Sequence, residues 1–77
     1  MRRVARLRVL SGRDVCDILF RHGFREVRRR GSHVVMQARR DGVSVTVPVP
    51  AHREIKTGTL FSIIRQSGVP RREFEVD

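Results

Sequence analysis

Apolar positions along the chain change period twice, and each change marks a boundary between elements. From Gly12 to His22 they recur at helical spacing: Val15, Ile18 and Leu19 share one face, with Cys16 and Phe20 flanking it. Ser11 is placed to accept from the exposed first-turn amides. Asp14, three residues on, stands where a capping box and the helix dipole both favour a carboxylate. Gly23 is the left-handed terminator of this first helix. The period then shortens. Phe24 to Arg29 predicts a short strand, Arg30-Gly31-Ser32 a turn, and His33 to Arg39 a second strand rich in Val and Met. Asp41-Gly42 is a hairpin signal, after which Val43, Val45 and Val47 alternate with Ser44 and Thr46 as in a strand buried on one face. Pro48 and Pro50 close that strand, and Val49 to Lys56 reads as an irregular loop. Helical period returns with Leu60, Ile63 and Ile64 inside and Phe61 at the edge, with Thr57 as N-cap and Gly68-Val69-Pro70 as the stop. Arg71 to Asp77 has room for one more turn. The order α-β-β-β-α predicts an α+β layer: a three-stranded antiparallel sheet with both helices on one face and the other face free for a ligand.

A chain of 77 residues closes a single core, so residues 1–77 form one domain, with 1–8 a basic lead-in. The hydrophobic fraction of 39% is low but suffices for two helices on a small sheet. Charge changes the picture more than size does. Lys and Arg number 17 against 8 acids, a formal charge of +9, and Lys56 is the only lysine. Arginine pairs bidentately with phosphate and stacks on bases, so this composition points to a nucleic-acid partner, although a genomic preference for Arg codons produces the same bias. Cys16 is the only cysteine, which excludes an intramolecular disulfide. No apolar run approaches a membrane span, and Met1 to Leu10 alternates arginine with aliphatic residues, unlike a signal peptide. A soluble, cytoplasmic protein without a membrane partner is expected.

Among the three histidines His33 has the strongest claim to chemistry, because it follows Arg28, Arg29 and Arg30 across a short turn that includes Ser32. Cationic neighbours favour the neutral, base-competent ring and would also hold a phosphate. Alone, a histidine at a strand end is more often a loop hydrogen bonder than a catalyst. His22 at a helix C-terminus needs no further purpose, and His52, after the proline segment, could reach the sheet surface as a second acid, although such a residue is more often a solvated loop residue. Three histidines and one cysteine show no metal-ligand spacing, so neither a metal nor another cofactor is expected. Lys56, Thr57, Gly58 and Thr59 open the second helix, where free amides, a small glycine and a cation could meet a phosphate. Capping alone would explain them equally well.

Arg30-Gly31-Ser32-His33-Val34-Val35, followed by Val45-Thr46-Val47-Pro48 and then Ile55-Lys56-Thr57-Gly58-Thr59-Leu60, resembles the HicA family of toxin–antitoxin ribonucleases. Leu10-Ser11-Gly12, His22-Gly23-Phe24 and Arg65-Gln66-Ser67-Gly68 extend the resemblance over residues 9–75. It implies a fold similar to double-stranded RNA-binding domains, cleavage of messenger RNA without a metal, and a HicB-type antitoxin that covers the active surface. The family's catalytic histidine lies in the Gly-Ser-His unit, here His33. Two positions depart from the family pattern: Thr57 stands where proline is frequent, and Val34 where a polar or aromatic residue often follows the histidine. Two other readings suit the same composition. One is a non-catalytic RNA-binding module of the same fold; the other is a basic subunit that binds only an acidic protein.

Overall fold

The computed structural model describes residues 6–76. Seven elements follow in order: β1 (Arg6–Leu7), α1 (Gly12–Arg21), β2 (Arg25–Arg30), β3 (His33–Arg40), β4 (Val43–Pro50), α2 (Thr57–Ser67) and β5 (Glu75–Val76), with a 3-10 turn at Arg71–Phe74 before β5. The three long strands form the expected antiparallel sheet in the order β2-β3-β4. Both helices contribute to one apolar cluster on one face of that sheet, the α-β-β-β-α arrangement of a double-stranded RNA-binding domain.

Helix α1 begins as its sequence dictates. The Ser11 hydroxyl accepts from the Asp14 amide at 3.0 Å, and the Ser11 amide donates to Asp14 Oδ2 at 3.0 Å, a complete capping box. The Ser11 amide, and after it the Ser11 hydroxyl, hold the Asp14 carboxyl below its usual range. Val15, Ile18 and Leu19 are buried against the sheet and Phe20 is exposed. Helix α2 starts differently from the expectation. Lys56 is the N-cap, with no side-chain cap bond, and Thr57 is the first helical residue rather than the cap. With no capping bond at its start, α2 depends on Leu60 and Ile63, each worth about 1.5–3 kcal/mol when fully buried. Gly68 in the left-handed region ends it, as predicted.

Strand β4 is longer than the prolines suggested. It runs through Pro48 and Pro50, which stand opposite Val35 and His33. An edge strand tolerates residues without an N–H wherever that group would point away from its only neighbour. Strand β2 begins one residue later than expected because Phe24 is spent as a core plug, fully buried ahead of the strand. The basic lead-in is also used: Arg6–Leu7 pairs with Glu75–Val76, a ribbon that no hydrophobic period announced, while positions 1–5 lie outside the described residues. The 3-10 turn before β5 buries Phe74 completely.

The segment after β4 is tied to the start of α1. Ile55 N donates to Leu10 O at 2.7 Å, Gly12 N to His52 O at 2.9 Å, and Ala51 N to Ser32 O at 2.6 Å. Gly12 is required here, since a Cβ at this position would run into the Pro50 carbonyl. Helix α1, the end of β4 and the turn before β3 are thereby fixed to one another.

Candidate functional site

Register decides which side chains share a face of the sheet. Val34, Met36 and Ala38 stand opposite Val49, Val47 and Val45 and look towards the helices. The alternate residues of the two strands, among them His33, Val35, Thr46 and Pro48, fall on the other face. Strand β2 would carry Arg28 and Arg30 to the helix side if it alternated regularly from the buried Phe24. It does not, because the pairing shifts between Glu26 opposite Met36 and Arg28 opposite Val35. Val27 is the extra residue of a β-bulge, and it reverses the phase of everything after it. Arg28 and Arg30 therefore emerge on the open face.

Arg28, Arg30, His33, Val35, Thr46 and Pro48 line one shallow concavity of about 330 Å³ on that face. Arg30 and His33 are opposite partners flanking the two-residue Gly31-Ser32 turn, and Gly31 takes φ 57°, a conformation that costs glycine nothing. Directly opposite residues carry their Cβ atoms about 4.5–5.5 Å apart, so the Arg30 and His33 side chains leave the sheet as neighbours. Among the described residues, no carboxylate lines the concavity. Gln37 Nε2 donates to Thr46 Oγ1 at 3.1 Å across the adjoining pair of β3 and β4, orienting that hydroxyl. The arrangement offers an anion two cations, and offers a reacting oxygen one proton carrier.

The remaining candidate residues are distributed elsewhere. Arg29 turns to the helix side, where its Nε lies 3.3 Å from Glu26 Oε2. There it joins Gly12, Arg13, Cys16, Asp17, Glu26, Val34 and Ala51 around a second concavity of about 320 Å³. The structure thus separates Arg29 from the two arginines that flank it in sequence. Burial pushes the Cys16 thiol up, with Glu26 and Asp17 adding to the effect. Ser32 is an exposed turn residue whose carbonyl receives the Ala51 amide. Lys56, Thr57 and Gly58 are exposed and Thr59 is half-buried; all four line neither concavity. His22 caps α1, with its Nε2 3.4 Å from Glu73 Oε1, and His52 meets Gly12 through its backbone carbonyl.

Val35, Thr46 and Pro48 were not among the sequence candidates. Their signal was the two-residue period: Thr46 and Pro48 are in phase with each other and out of phase with the buried valines. Among the described residues, no group of three or more His, Cys, Asp or Glu is placed to hold a metal ion. Among the same residues, no helix is long and apolar enough to cross a membrane.

A family model described as the HicA toxin of bacterial toxin–antitoxin matches residues 12–69. That span runs from the start of α1 to just past the end of α2 and contains every residue of the His33 concavity. No curated protein matches the chain.

Proposed function

Because the chain belongs to the HicA toxin family of bacterial toxin–antitoxin systems, we propose that it is an endoribonuclease that cleaves messenger RNA without a metal ion, with His33 as the proton carrier. One observation carries this reading: His33, Arg28 and Arg30 line a single concavity on the face the helices leave open. Breaking an RNA phosphodiester requires a base for the attacking oxygen, a proton for the departing 5′-oxygen and cations for the crowded phosphate. The His33 imidazole removes the proton from the attacking oxygen, whether that oxygen belongs to a 2′-hydroxyl or to water. As the new P–O bond forms and the bond to the 5′-oxygen breaks, the same ring has a proton to return. Arg28 and Arg30 hold the phosphate and offset the charge that builds on its free oxygens.

A HicB-type antitoxin is the proposed partner, and it silences the chain by covering this face. A domain this small leaves little room for a separate control site, and acidic partner side chains would pair with the arginines that otherwise grip phosphate. The chain would act in the cytoplasm, where messenger RNA is met.

The test is direct. Purified wild type is incubated with a long RNA in the presence of a chelator, next to His33→Ala. Wild type is expected to cleave, and the variant to keep RNA binding while its cleavage rate falls by about 10²–10⁴-fold, the usual worth of a general acid or base. Undiminished cleavage by His33→Ala sinks the assignment. A wild type that binds RNA but leaves it intact would make the chain a binding module.

A further inference from the structure

The concavity around His33 has a floor as well as a cationic rim, and a phosphate makes no use of that floor. Val35 and Pro48 stand opposite each other in the β3–β4 register; Pro48 is exposed and Val35 is buried at the base of the concavity, so the Pro48 ring forms most of the apolar floor. We propose that this floor is a nucleobase subsite, in which one unpaired base of a single-stranded RNA lies flat on Pro48 and Val35 beside the scissile phosphate. The proposal rests on the reading that the ligand of this face is RNA.

Three observations converge on it. At about 330 Å³ the concavity lies at the small end of ligand pockets, about 300–1,000 Å³, the scale of one nucleotide rather than of a base pair. The chain has no Trp or Tyr, and its four phenylalanines are engaged elsewhere. Phe24 and Phe74 are buried, while Phe20 and Phe61 lie under the guanidinium groups of Arg25 and Arg71 at 4.8 and 5.2 Å. Stacking at this face therefore falls to the Pro48 ring below the base and to the planar guanidinium of Arg28 or Arg30 above it. Finally, Thr46 Oγ1 accepts from Gln37 Nε2 at 3.1 Å, so its own proton is free to donate towards a base-edge acceptor.

The geometry also selects the form of the nucleic acid. A base within a duplex is covered by its neighbours on both faces, and only an unstacked base can be laid on a platform of this kind. Through phosphate the arginines supply affinity that does not depend on bases; Pro48, Val35, Thr46 and the stacked guanidinium supply the part that does.

The experiment compares two eight-nucleotide RNAs with the same number of phosphates, one carrying bases throughout and one fully abasic. Binding to His33→Ala is followed by fluorescence anisotropy over a range of salt concentrations. The intact oligomer is expected to bind about tenfold or more tightly than the abasic one, since base stacking adds to the phosphate term. The two salt slopes should be equal, because the phosphate contacts are the same. Pro48→Ser and Thr46→Val, checked for folding by circular dichroism, should pull the intact oligomer towards the abasic affinity and leave the abasic affinity unchanged. Equal affinity for the two oligomers overturns the subsite, as does an undiminished preference for bases in both variants. Because the readout is binding, it is independent of cleavage: a dead wild type removes the nuclease reading and leaves the subsite standing, whereas active cleavage with no preference for bases does the reverse.

Discussion

Arg28, Arg29 and Arg30 are adjacent in sequence, but the bulge at Val27 and the strand alternation after it place the middle one on the opposite face. Replacing each with serine removes one unit of the +9 formal charge, so a binding mode governed by net charge predicts three identical variants. The structure predicts otherwise. Arg28 and Arg30 line the His33 concavity, while Arg29 lies 3.3 Å from Glu26 on the helix side. For single-stranded RNA each phosphate contact contributes about 0.7 to the slope of log affinity against log salt, or about twofold in affinity over a threefold rise in salt. Arg28→Ser and Arg30→Ser should each flatten the slope by about 0.7, and Arg29→Ser should leave it unchanged. Folding should survive all three substitutions. The lost Arg29–Glu26 pair is exposed, with side chains 66% and 47% accessible, and such pairs are worth about 0–1 kcal/mol. The assay is anisotropy titration of a labelled single-stranded RNA against His33→Ala carrying each serine in turn. Equal flattening in all three would return the argument to bulk charge, and flattening by Arg29→Ser alone would mean that RNA binds the helix side.

Four further outcomes follow from the fold. Gly12→Ala puts a methyl group against the Pro50 carbonyl and should cost about 1–3 kcal/mol in urea unfolding, and an unchanged midpoint would mean that α1 and β4 are not in close contact. Ser11→Ala removes the hydroxyl of the capping box and should cost about 1 kcal/mol. The Asp14 carboxyl, held below its usual range in the folded chain, contributes stability that is present above the unfolded-state value and lost as pH falls through the folded-state one. Thermal melts across acidic pH should show that loss in wild type and a smaller one in Asp14→Asn; identical profiles would show that the box is not formed. Deleting Val27 removes only the extra residue of the bulge, so the pairs Glu26–Met36 and Arg28–Val35 persist and salt-dependent RNA binding should still rest on Arg28 and Arg30. Transfer of that dependence to Arg29 would show that the register had slipped.

The parts of the fold with a strong local period were legible in the sequence, and the parts set by long-range contacts were not. Ser11, Asp14 and the stripe of Val15, Ile18 and Leu19 define α1 without help from the rest of the chain, and Asp41-Gly42 defines the β3–β4 turn in the same way. Pro48 and Pro50 were read as ending β4 because proline cannot donate to a sheet, yet whether a donor is needed depends on which strand lies on that side. The β1–β5 ribbon joins residues near the two ends of the chain, each strand only two residues long, so no window of sequence carries its signal.

At the candidate site the divide between local and long-range information lies within a single strand. The Gly31-Ser32-His33 turn is local, and it brings Arg30 beside His33 by hairpin geometry alone. The separation of Arg28 and Arg30 from Arg29 is not local. Regular alternation from Phe24 would have placed Glu26, Arg28 and Arg30 together on the helix side, two cations against the strand's one carboxylate. The bulge removes this conflict: Phe24 stays in the core, Glu26 and Arg29 pair at its margin, and the two remaining cations turn out to the open face. Val27, 46% accessible among charged neighbours, is the residue that the bulge leaves without a partner. With Arg28 and Arg30 turned outward, the helix side of β2 after the bulge carries one arginine, Arg29, beside the carboxylate of Glu26. The bulge that balances charge there also gathers the other two cations around His33.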